Sequence, residues 1–167
     1  MADTEFGKVA EQRIRTWLDR PQDGYSFDRI PDQLSGYYMV SRNICDFECY
    51  KYPYNYYLES KCTYADRFSF NQLTDNQRNG LAIKSTIKGC YGFIVVLFAE
   101  YKRAFIFDIQ DIVEFINPTT TQLKVKSVNI KKIDSWQIPY KEIKTVPSRK
   151  QLLDYTGEIE DYIPHRG

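Results

Sequence analysis

The chain has 167 residues, 43% of them hydrophobic and 27% charged, with a formal net charge of +1. That length lets one domain bury a core without staples, and the apolar fraction excludes disorder as the default state. No apolar run reaches the length of a membrane span, the longest being 92–99, and the first residues lack an export signal's basic-then-apolar order, so a cytoplasmic protein is expected.

Phe6, Ala10, Ile14 and Trp17 recur at helical spacing, which predicts an amphipathic helix over 4–20, ended by Pro21 and Gly24. A short strand over 25–30 stops at Pro31, and 32–42 reads as a connection. Strands follow over 43–50 and 56–62, with a turn at Tyr52-Pro53 between them. A second helix is expected over 71–88, closed by Gly89. The run 92–98 is apolar on both faces, as a central covered strand requires. Another strand over 104–107 leads to Asp108, which can cap a short helix to Ile116. Ser148 after Pro147 is expected to cap a last helix through Tyr155, while 118–147 carries no clear pattern. This order describes an α/β fold, a mixed sheet flanked by helices. It reads as one domain over 1–167, with a core of about 4–116 and a basic extension of about 117–167.

Charge and cysteines sharpen the reading. Residues 117–150 carry +6, whereas 1–116 sum to −2 and 151–167 to −3. A basic segment on a nearly neutral domain suits phosphate binding, although a solvated surface would show the same composition. Cys45, Cys49, Cys62 and Cys90 lack zinc-finger spacing, and the one histidine, His165, stands near the C-terminus, so structural thiols are expected.

Alternation along a strand puts Glu59 and Lys61 on one face, and puts Asp46 with Glu48 opposite Cys45, Phe47 and Cys49. The midpoint of 46 and 59 falls at the Tyr52-Pro53 turn, so a symmetric hairpin sets Asp46 across from Glu59. Two adjacent carboxylates repel, and one takes a proton unless a cation sits between them. Mg²⁺ is the natural cation, bound through one or two carboxylates with waters and substrate phosphate, with Mn²⁺ a possible substitute. The Ser60 carbonyl could add a ligand, and Lys61 could hold the attacking water or the phosphate oxygens. An exposed Glu59–Lys61 ion pair is the plainer alternative. Glu11 borders the buried stripe of the first helix and can reach the sheet, although an exposed glutamate is the commoner fate there. Thr74 to Gln77 fits a capping box, which leaves Gln77 free to act beside the site as well.

Taken together, Asp46-Phe47-Glu48, Tyr57-Leu58-Glu59-Ser60-Lys61, Phe68-Ser69-Phe70, Asp75-Asn76-Gln77 and Gly92 to Val96 resemble the RecU-type Holliday junction resolvases. The resemblance runs from about Gly7 to Glu114. It implies a restriction-endonuclease-like PD-(D/E)XK fold, with Asp46 and Glu59 as metal ligands and Lys61 as the catalytic lysine. Glu11 would be an acidic helper and Gln77 an active-site support. The family's long stalk is shortened or absent here, since about fifteen residues separate Ile30 from Asp46. Its basic N-terminal arm is also missing, and Cys45 stands where Thr is usual. A compact version of this kind is what a phage could encode.

The expected function is therefore Mg²⁺-dependent cleavage of branched DNA, notably four-way junctions, by a homodimer. A structure-insensitive nuclease and a non-catalytic DNA-binding module on the same scaffold are the alternatives. Phosphate contacts are expected from Arg13, Arg15, Lys124, Lys126, Lys131 and Lys132. The 14 tyrosines are expected mainly in the core or at an interface, with stacking on unpaired bases as the other use of the Tyr37–Tyr38 and Tyr50–Tyr57 clusters.

Overall fold

The computed structural model describes residues 2–19, 24–31, 43–117, 126–136, 138–148 and 153–162. Helix α1 (Ala2–Leu18) is followed by β1 (Tyr25–Arg29), β2 (Phe47–Lys51), β3 (Tyr54–Thr63) and β4 (Arg67–Ser69). A 3-10 turn (Phe70–Gln72) leads into α2 (Asp75–Lys84), then β5 (Cys90–Phe98), β6 (Arg103–Asp108) and α3 (Ile109–Ile116). Short strands β7 (Ser127–Asn129), β8 (Lys141–Glu142), β9 (Thr145–Pro147) and β10 (Leu153–Tyr155) complete the described elements.

The main sheet has the order β1-β2-β3-β5-β6-β8. All its neighbours run antiparallel except β3 and β5, which are parallel and joined by the crossover through α2. The sheet separates two cores. On one face α1 places Ala10, Ile14, Trp17 and Leu18 against Phe47, Leu58, Phe93 and Val95. On the other, α2 and α3 place Leu81, Ile109, Ile112 and Phe115 against Ile94, Val96, Phe105 and Phe107. Because β5 is covered on both sides, Phe93 to Val96 are at most 1% exposed, which explains its unbroken apolar run. The expected mixed sheet flanked by helices is thus the fold that forms.

Several expectations change in the structure. The expected last helix does not run through Tyr155: Leu153–Tyr155 pair with Thr145–Pro147 as antiparallel strands, and 149–152 lie outside the described residues. Tyr155, Ile159 and Tyr162 then pack on Trp17, whose ring Nε1 donates to Gly157 O at 2.9 Å. Packing against α1 outweighs the weak helix-start signal at Ser148. The 118–147 stretch contributes β7, which pairs with β4, and β8, which adds an edge strand to the sheet. Cys45 does not lie on the Phe47 face; it packs with Tyr57 and Leu81 in the opposite core, because regular alternation starts only at Phe47. All four cysteines are free thiols, and burial pushes Cys45 up to about 12 and Cys49 up to about 11, so both stay protonated.

Candidate active site

The β2–β3 hairpin builds the centre of the site. Its register pairs Phe47 with Leu58, so Asp46 stands at the end of β2 beside Glu59. Asp46 N donates to Leu58 O at 3.0 Å, and Ser60 N donates to Asp46 Oδ2 at 2.8 Å. Asp46 is therefore fixed by its backbone and by one carboxylate oxygen. Glu59, on β3, is only 2% exposed. Its Oε1 lies 2.9 Å from Lys61 Nζ and accepts from Gln77 Nε2 at 2.6 Å. Its Oε2 is buried without a hydrogen-bond partner.

Gln77 joins the site to the helix behind it. Its N–H bonds to Thr74 Oγ1 while its Oε1 accepts from Thr74 N at 3.0 Å, the reciprocal pattern of a capping box. The same Oε1 accepts from Lys61 Nζ at 3.4 Å, and the amide nitrogen turns to Glu59. One side chain thus closes the start of α2 and braces both charged residues of β3. The expected dual use of this position has a geometric basis. Replacing Gln77 by alanine should cost about 1 kcal/mol of stability through the lost capping-box bond. Thermal melting measures the effect; an unchanged melting temperature would show that the bond contributes nothing to the start of α2.

Electrostatics favour a cation here. Burial raises Glu59 to about 8, with the neighbouring Asp46 charge adding to the rise and Lys61 opposing it. Burial likewise raises Asp46 to about 6, against the pull of the Ser60 N–H, with Glu11 adding to the rise. Two desolvated carboxylates side by side, one with an orphaned oxygen, fit a hard divalent ion better than they fit each other. Among the described residues no group of three or more His, Cys, Asp or Glu is arranged to hold a metal. A two-carboxylate set is nonetheless sufficient for Mg²⁺, which keeps several waters and takes phosphate oxygens from its substrate.

The remaining expected residues are scattered unevenly. Glu11 approaches from α1, held by Arg29 through Nε at 3.0 Å and Nη2 at 3.0 Å. Arg29 carries no sequence signal of its own; only the pairing of β1 with β2 brings it here. Arg13, expected to meet phosphate, is 8% exposed and forms an ion pair with Asp154 at 3.5 Å, so it is turned into the protein rather than toward DNA. The α1 stripe at positions 10, 13, 14 and 17 faces the C-terminal strand as well as the sheet, which decides that orientation. Arg15 is exposed. Lys126 is half-buried, Lys131 and Lys132 are exposed, and Lys131 pairs with Asp66 at 2.9 Å. Lys124 and the Tyr37–Tyr38 pair lie outside the described residues. Arg67, whose Nη1 donates to Ser127 Oγ at 3.1 Å, adds a cation that the sequence reading did not single out. The β4–β7 pairing sets these basic residues along the segment that runs from Arg67 into α2 and Gln77. Most of the tyrosine cluster packs: Tyr56, Tyr91 and Phe93 stack, whereas Tyr52 is 79% exposed.

The family model for RecU, recombination protein U, matches residues 27–161. No curated protein matches the chain. Among solved structures, Hjc of Archaeoglobus fulgidus, a Holliday junction resolvase from an archaeal hyperthermophile, aligns with a TM-score of 0.49 and 12% identity, covering 75% of this chain and 89% of that one.

Proposed function

Because the chain belongs to the RecU family, we propose that it is a Holliday junction resolvase, a metal-dependent endonuclease that cuts branched DNA with Asp46, Glu59 and Lys61. The observation that carries this reading is buried Glu59, with one orphaned oxygen and a lysine 2.9 Å away, beside the half-buried Asp46 carboxylate. Burying Glu59 beside a second carboxylate is costly for structure alone, because desolvation and the Asp46 charge both raise its proton affinity.

Asp46 and Glu59 would hold Mg²⁺, or Mn²⁺ in its place, with the Ser60 carbonyl as a further candidate ligand. When bound, the ion polarises the scissile phosphate and makes a coordinated water more acidic. Lys61, kept in place by Glu59 and Gln77, offers its ammonium to the attacking water or to the phosphate oxygens as charge builds on them. Water then forms the new bond to phosphorus and gives up a proton to solvent, while the bond to the leaving sugar oxygen breaks and that oxygen takes a proton from solvent. Lys126, Lys131, Lys132 and Arg67 are suited to the phosphate backbone, with Arg15 on the α1 side. A homodimer supplies the second active site that a two-fold-symmetric four-way junction needs. No described helix is long and apolar enough to cross a membrane.

The test is cleavage of a four-way junction and of a linear duplex with the same arm sequences. The junction should be cut in Mg²⁺ with at least about tenfold preference, equivalent to roughly 1.4 kcal/mol, and a chelator should abolish cutting. Equal cutting of both substrates would favour a structure-insensitive nuclease. Tight junction binding without cleavage in Mg²⁺ or Mn²⁺ would favour a binding module and end the catalytic reading.

A further inference from the structure

Glu11 lies on α1, which packs on one face of the sheet, and its carboxylate is held by Arg29 of β1. Arg29 is the last residue of β1 and pairs in register with Phe47, the neighbour of Asp46. The next residue, Ile30, donates its N–H to Asp46 O at 2.8 Å. The Arg29 backbone is therefore anchored to the same strand end as Asp46. Its guanidinium Nε and Nη2 both lie 3.0 Å from one Glu11 oxygen, Oε2, while Nη1 donates to Ile30 O at 3.1 Å. Glu11 Oε1 has no partner among the described residues.

Both side chains are half-buried, 24% and 28% exposed, so this pair differs from a loose surface bridge. A planar guanidinium that grips one oxygen with two N–H groups and one carbonyl with a third fixes the position of that oxygen. A lysine, as a point charge, would not. The Arg29–Phe47 register and the Ile30–Asp46 hydrogen bond set the Arg29–Glu11 pair beside the strand end that carries Asp46.

We propose that Arg29 is a positioning residue that holds Glu11 by one oxygen so that the other accepts a hydrogen bond from water on the divalent ion carried by Asp46 and Glu59. This rests on the metal-nuclease reading above. Outer groups that orient ligands and bound water commonly control metal affinity as well as rate. Three of the five guanidinium N–H groups are thus engaged within the protein.

The experiment uses the full chain as wild type, E11Q, R29Q, R29K and the E11Q/R29Q double variant. Mn²⁺ binding without DNA is followed by electron paramagnetic resonance, and the Mg²⁺ dependence of junction cleavage is measured alongside. E11Q and R29Q should each weaken Mn²⁺ binding about tenfold, and the double variant should be no weaker than either single. R29K should recover only part of the loss, about threefold. Should R29Q fail to fold, R29K against E11Q carries the same comparison. If the guanidinium acts only as a nearby positive charge, R29Q will tighten Mn²⁺ binding, and the proposal is overturned. It is equally overturned if the E11Q and R29Q effects multiply. Coupled Mn²⁺ losses in a protein that cuts no junction would leave the Arg29 assignment standing and sink the nuclease reading; cleavage with uncoupled losses would do the reverse.

Discussion

Junction cleavage by the Asp46→Asn and Lys61→Ala proteins should fall by roughly 10² to 10³ at saturating Mg²⁺, while junction binding in the absence of the metal changes little. Asparagine keeps an oxygen for the Ser60 N–H, so the strand end is preserved while the charge is lost. Lys61→Ala removes the ammonium and leaves Glu59 with Gln77 as its neighbour. The two variants should differ in stability, which separates a chemical loss from a folding loss. In the metal-free wild type, Glu59 is raised from 4.5 to about 8 and Asp46 from 3.8 to about 6. A carboxylate whose pKa is raised on folding binds more protons in the native state. Its contribution is most favourable below the unfolded value and is lost as pH rises through the folded one. The metal-free protein should therefore melt at a lower temperature at pH 8 than at pH 5.5, other groups being equal, and Mg²⁺ should restore more at pH 8. Asp46→Asn removes one of the repelling charges, so it should stabilise the metal-free protein at pH 8 by about 1 kcal/mol or more and flatten that pH dependence. Cleavage at the wild-type rate by both variants would remove Asp46 and Lys61 from the chemistry. A metal-free stability independent of pH between 5.5 and 8 would contradict the raised proton affinities of Glu59 and Asp46.

Phe70→Ala should destabilise the protein by about 3–5 kcal/mol, measured as a shift in the denaturant midpoint. Phe70 is fully buried at the start of the 3-10 turn that precedes α2. Its ring meets Phe68 at 5.6 Å and Phe107 at 5.4 Å edge-on, and also touches the Phe115 and Trp136 rings. Its backbone N–H donates to Lys126 O at 3.0 Å. One residue thus joins the sheet, α3, the β7 segment and the approach to Gln77. Cavity formation accounts for the stability loss, and loosening of the α2 start should add a drop in cleavage beyond the unfolded fraction. A loss below about 1 kcal/mol would show that the aromatic cluster can close over the gap.

The central hairpin was readable because its constraints are local. A period of two and a turn at Tyr52-Pro53 are enough to bring Asp46 opposite Glu59, and the register agrees with that symmetry. The apolar run at β5 and the Asp108 cap of α3 were equally plain, since burial on both faces and a capping oxygen leave short-range marks. Gln77 was ambiguous for a physical reason: a capping box and a site brace use the same side chain, and only the cap has a sequence signature.

What eluded the sequence is long-range. Residues 153–155, expected at the end of a helix, pair as a strand with Thr145–Pro147, and Arg13 turned inward because the C-terminal strand and Trp17–Tyr155 packing cover that face of α1. Neither partner lies within reach of a local pattern. The amino-acid sequence by itself determined the carboxylate-lysine hairpin, the covered central strand and the net positive charge of 117–150, because strand alternation, apolar continuity and charge depend on neighbours along the chain. Only the tertiary structure decided that Arg29 grips Glu11, that β7 lies along β4, and that Glu59 is sealed from solvent. Those facts depend on contacts between distant segments, whose energies compete across the whole fold and leave no periodic trace in the chain.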